Sequence, residues 1–203
     1  VGLIPNCEKN KVVAFRNGGF LAEHERWFLY GNRLDVVNQY KYLGMIFSTR
    51  LSYRTAQQDL SERAKAGLLQ VIKCVNTLGT VSPDVFFRLF DTQILPILMY
   101  SSELWGLHDC KIIETIHLFA LKRFLHLPVQ TPNVIAYGET GRFPLSVNAK
   151  IRAIRYWLKI LRMDPIRYPR RVYNIMLQYQ VNNWACDVKS MLYRYGFEHV
   201  WML

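Results

Sequence analysis

The sequence predicts an α+β chain that is mostly α-helical, with a small antiparallel β-unit at its start and a helical bundle after it. Two observations carry this. Residues 11–47 are short β-branched and aromatic runs broken by glycines, which is how strands and hairpin turns read. After Ser52 the apolar residues recur at three- and four-residue spacing, the period of helices with one buried face.

In the first region, "KVVAFR" (11–16) reads as a strand ending at the turn Asn17-Gly18-Gly19. "WFLY" and "LDVV" flank Gly31-Asn32, a two-residue hairpin signal. "NQYKYLGMIFS" (38–48) places Gly44 inside an apolar run, where glycine marks a bulge, a tight turn or a close backbone approach. Three or four antiparallel strands are expected over residues 11–47.

From residue 54, Leu60, Ala64, Leu68, Val71, Ile72 and Val75 share a helix face that stops at Gly79. Ser82 and Pro83 read as the N-cap and first residue of the next helix, which Pro96 should kink or split. "DCKIIETIHLFALKRFLHLP" runs from an Asp109 cap to Pro128, and "TPNVIAYGETGRFPL" reads as one helical turn and a loop. A strong helix follows from Pro144, then two weaker ones near 169–180 and 183–195. Residues 1–50, 51–165 and 166–203 are expected to form a β-unit, a helical body and a variable helical extension. No repeat or low-complexity tract is present.

Hydrophobic residues make up 51% of the 203, enough for a sizeable core, and no apolar run approaches a membrane span. The start lacks the basic and apolar regions of a signal peptide and reads as the interior of a longer chain. Cys7, Cys74, Cys110 and Cys186 have no CxxC spacing and read as four buried reduced thiols in an intracellular protein, nuclear or cytoplasmic. The five histidines show no ligand spacing. No P-loop, dinucleotide fingerprint, nucleophile elbow, HExxH or deaminase motif occurs, and no pair of acids is spaced for two magnesium ions.

The net charge is +11. From Lys150 to Arg171 eight basic residues stand against the single acid Asp164, which suggests a polyanion, nucleic acid before membrane. At a helix's angular step, Arg152, Arg155, Lys159 and Arg162 share an arc of roughly 80°, opposite Ile154, Trp157, Leu158, Ile160 and Leu161. Such a row can follow a phosphate backbone; it can also be a solvated face.

Four segments in order resemble one family. "GLIPNCEKNKVVAF" (2–15) is similar to G-L-x-h-N-x-x-K-T-x-x-h-x-F (h apolar), the end of the palm in reverse transcriptases of non-LTR (LINE-type) retrotransposons. Gly2, Leu3, Asn6, Lys9 and Phe15 fit; Asn10 replaces Thr and Pro5 the apolar residue. "YKYLGMIFS" resembles the family's YLG element at the primer grip. "LFDTQILPILMYSSELWG" resembles the thumb pattern L-P-x-x-x-Y-G-x-E-x-W-G through Pro96, Tyr100, Glu103, Trp105 and Gly106, with Ser101 in place of the common Gly. "TPNVIAYGETGRFPL" resembles the stretch that follows.

The resemblance covers most of residues 1–165. It implies a palm-end and thumb segment of an RNA-directed DNA polymerase that meets RNA template and DNA primer. The catalytic aspartates of the family precede Gly2 in its motif order, so Mg2+ is expected only in the complete polymerase, and this chain should be inactive without the palm, fingers and endonuclease portions. Lys9 would then face the incoming triphosphate, and Tyr42, Leu43 and Gly44 would turn the chain against the primer's sugar-phosphate. The cations of the 152–162 row would face the duplex, on charge pattern alone. The alternative is a domesticated or decaying helical module that binds a protein or nucleic acid as an adaptor. Without the rest of a palm, residues 11–47 should expose apolar surface.

Overall fold

A computed structural model describes residues 10–16, 19–50, 52–79, 81–179 and 182–202. Lys9, Cys7, most of the 2–15 motif and the Asn17-Gly18 turn lie outside them.

Six short strands come first: β1 Lys11–Val12, β2 Phe28–Leu29, β3 Asn32–Arg33, β4 Asp35–Val36, β5 Gln39–Tyr42 and β6 Met45–Ser48. Ten helices follow among the described residues: α1 Arg54–Leu78, α2 Pro83–Leu89, α3 Leu95–Leu98, α4 Ser102–Trp105, α5 Lys111–Phe124, α6 Asn133–Thr140, α7 Leu145–Leu161, α8 Tyr168–Tyr179, α9 Trp184–Arg194 and α10 Glu198–Trp201. The fold is therefore α+β and mostly helical. Among the described residues no helix is long and apolar enough to cross a membrane. The chain divides into two units, residues 1–60 and 61–203, at Leu60 within α1.

In the first unit the strands form three two-stranded ladders in place of one antiparallel sheet. β2–β3 and β5–β6 are antiparallel hairpins, but β1 pairs with β4 in parallel, and Lys11 binds Asp35 at 2.6 Å beside that pairing. The turn of the first hairpin is Tyr30-Gly31, one residue earlier than expected. Lys41, the charge inside the apolar run, reaches Asp59 at 3.0 Å. Met45 is buried, whereas Phe15, Phe20, Leu21, Phe28, Tyr30, Tyr42 and Leu43 are exposed.

The second unit is built on amphipathic helices. Pro83 opens α2, though the Ser82 side chain makes no cap bond. Ahead of Pro96 the helix widens into a π-turn over Phe90–Ile94, because proline has no N–H to return to the carbonyl four residues back. Ser101 then takes a left-handed conformation and α4 begins. Trp105 is fully buried and donates to the Tyr100 carbonyl at 2.9 Å. A Cβ on Gly106 would lie 2.6 Å from the Ala149 carbonyl oxygen, so α4 meets α7 at a distance only glycine permits. α6 has eight residues where one turn and a loop were expected. Of the thiols, Cys110 is buried, Cys186 half-buried and Cys74 exposed, so burial does not hold for all of them. Burial, with Asp109 and Glu114 nearby, pushes the Cys110 thiol up to about 11.

Candidate nucleic-acid interface

The basic row stands on α7, which is held at both ends as well as by its close approach to α4. At its start the Leu145 N–H donates to Glu114 Oε2 of α5 at 2.7 Å, a cap supplied from 31 residues away. The other carboxylate oxygen of Glu114 accepts from Tyr137 at 2.7 Å and lies 2.9 Å from His117 Nδ1. Burial pushes the Glu114 carboxyl up. The bonds from His117, Tyr137 and Leu145 outweigh that and hold it below the ordinary carboxylate value. Burial and the Glu114 carboxylate push the Tyr137 hydroxyl well up. At the far side of α7 a core forms from Trp157, Ile160, Tyr173, Val188 and Leu192, with Trp201 stacked on Trp157. Trp157 donates to the Tyr173 hydroxyl at 2.9 Å.

With Leu145, Ala149, Ala153, Trp157 and Ile160 turned inward, the opposite face meets solvent. Arg155, Lys159 and Arg162 stand there together, exposed. Arg152 does not join them. It is half-buried and donates to the Met99 carbonyl at the end of α3, at 3.1 Å, so its charge serves that helix terminus.

Beyond α7, the one local acid, Asp164, accepts from the Ile166 N–H and closes the turn into α8. Arg167 and Arg171 are exposed, Arg171 lying over the Tyr168 ring, and Arg170 is half-buried over Tyr173. Among the described residues Arg155, Lys159, Arg162 and Arg167 make no ion pair. Position helps to explain this. Lys159 and Arg162 lie at the C-terminus of α7, where the helix dipole already favours positive charge.

Tyr42, Leu43 and Gly44 form the tip of the β5–β6 hairpin. Leu43 has φ 48° and Gly44 φ 83°, so both central residues are left-handed, as a type I′ turn requires. Gly44 is thus a turn residue and not a bulge within a strand. Leu43 holds this conformation without glycine's freedom, at a cost of about 1–2 kcal/mol. Leu43 is 74% exposed.

The "YGETGRFPL" segment is a connector. Gly141 ends α6 with φ 62°, the Arg142 N–H returns to the Tyr137 carbonyl, and the Arg142 guanidinium pairs with Asp91 over the Phe87 and Phe90 rings. Among the described residues no group of three or more histidines, cysteines or acids could hold a metal ion.

Sequence reasoning missed the apolar part of the α7 surface. Val147 and Ile151 are exposed on the same side as the cations. The signal was present: on the wheel Ile151 falls within roughly 20° of Arg162. Comparison of the chain with family models, curated proteins and solved structures gives no match.

Proposed function

We propose that this chain is a nucleic-acid-binding segment of an RNA-directed DNA polymerase of the non-LTR retrotransposon type, one that holds primer–template duplex inside the cell and extends no primer by itself. The observation that supports this is the exposed trio Arg155, Lys159 and Arg162, with no acid paired to it among the described residues. Cations held on a rigid helix release counterions from a phosphate backbone without first breaking bonds inside the protein. Arg167 extends the positive surface past the end of the helix. The hairpin tip at Tyr42, Leu43 and Gly44 is the proposed primer contact, and Mg2+ and the catalytic carboxylates belong to the complete polymerase.

The test is fluorescence anisotropy with an RNA–DNA hybrid of about 20 base pairs over a range of salt concentrations. Binding should weaken steeply with salt, and each of Arg155→Glu, Lys159→Glu and Arg162→Glu should reduce the salt slope by about one. An affinity that is flat in salt, or unchanged by the triple reversal, overturns the reading. The hairpin contact is tested separately by Gly44→Asn, because Asn tolerates the left-handed turn while adding a side chain. In a complex rebuilt with the full palm, unchanged primer extension by that variant would remove the grip role.

A further inference from the structure

A groove of about 510 Å3 lies between α7, α9 and α10. Its walls are apolar: Val147, Ile151 and Ile154 from α7, Met191 from α9, and Phe197 and Val200 beyond. Val147, Ile151 and Ile154 follow the i, i+4, i+7 spacing of one helix edge, so the floor runs along two turns, about 11 Å. Phe197 is 50% exposed and Ile151 42% exposed, so apolar surface on both α7 and the segment after α9 is open to a partner. Among the described residues the only polar side-chain groups in the lining are Lys150, Arg155 and the Tyr195 hydroxyl. Lys150 donates to that hydroxyl at 2.9 Å, leaving Arg155 as the unpaired charge at the rim.

We propose that this groove seats an amphipathic helix of a separate protein, with an apolar stripe flanked by acidic residues. The occupant follows from the lining. Nucleobases carry ring nitrogens and carbonyls that need partners, and the apolar walls would leave them unsatisfied. A second copy of this chain would bring a body of charge +11 against a cationic rim. A helix edge repeating at i, i+4, i+7 fits an apolar trough two turns long, and glutamates beside it meet Arg155 and Lys150. This site does not rest on the nucleic-acid reading, although Arg155 borders both surfaces.

The probe is a fluorescein-labelled peptide of about 16 residues, with leucines at i, i+4 and i+7 and glutamates flanking them, and a second version with lysines for the glutamates. The acidic peptide should bind saturably, and Ile151→Gln and Phe197→Ser, which remove apolar surface without adding charge, should each weaken it about tenfold or more. Both residues are half-exposed, so these variants should keep the wild-type melting temperature, and binding of the RNA–DNA hybrid should be unchanged in them. The lysine peptide should bind at least about tenfold more weakly. Four results overturn the proposal: acidic-peptide binding that survives both variants, equal binding of the lysine peptide, hybrid binding that is lost with the neutral Ile151→Gln, or a dimer in sedimentation that the same substitution abolishes.

Discussion

Glycine does different work in the two units. In the N-terminal unit Gly31 sits at a hairpin tip with φ 78°, and a Cβ there would meet nothing within 4 Å. What that turn needs from glycine is a backbone angle. In the helical unit Gly106 has an ordinary right-handed φ of −66°, and what it supplies is space, since a Cβ would collide with Ser102 and Ala149 backbone atoms. Strain at Gly31 stays within one turn of chain. A side chain at Gly106 acts on two helices at once.

The sharpest way to break this contrast is Gly106→Ala. It should destabilise the helical unit by about 3 kcal/mol, because neither neighbour is a flexible side chain that could yield. Loss of protection in hydrogen exchange should appear in both α4 and α7. Protection unchanged in α7 would show that the approach is not what fixes the helix.

Next in size is Glu114→Gln, expected to cost about 1–3 kcal/mol, since a carboxamide cannot accept from Tyr137, His117 and the Leu145 N–H together. The effect has a pH signature. The folded carboxyl titrates below its ordinary 4.5, so its stabilisation is complete above that value and is lost as pH falls through the folded pKa. Urea melts of wild type and variant should therefore converge in acid, and a constant difference would assign the loss to packing.

Gly31→Ala should cost about 1 kcal/mol, the price of a left-handed alanine, with exchange altered only in β2 and β3. Smallest is Leu43→Asn, expected to stabilise the β5–β6 hairpin by up to about 1 kcal/mol, because Asn accepts φ > 0 more readily. A loss of stability instead would mean that the exposed Leu43 side chain contributes to the folded unit.

Local signals in the sequence proved readable and remote ones did not. Gly79 stops α1, Pro83 opens α2, and the apolar period places α7 within a residue or two, whereas α5 ends at Phe124, three residues short of Leu127 before Pro128; each of these signals depends on neighbours along the chain. The β1–β4 pairing joins residues 24 apart through two residues each, too short to carry a period. α6 is longer than the single turn expected, since Pro132 precedes the helix and Gly138 is accommodated within it. Arg152 was grouped with the exposed cations because a wheel cannot show that Met99 comes within reach of it. The cap that Glu114 places on α7 was invisible for the same reason.

The π-turn at Phe90–Ile94 has a consequence for length variation in this chain. It holds one residue more per turn than an α-helix, a surplus of roughly 100° of rotation. Removing a single residue there would shorten the turn to α-helical geometry and could spare α2 and α3 themselves. The same deletion within α5 or α7 would rotate every later side chain onto the wrong face. The segment before Pro96 is therefore where this helical unit can best absorb a one-residue change in length, and the buried stretch through Leu98, Met99 and Trp105 is where it can least absorb one.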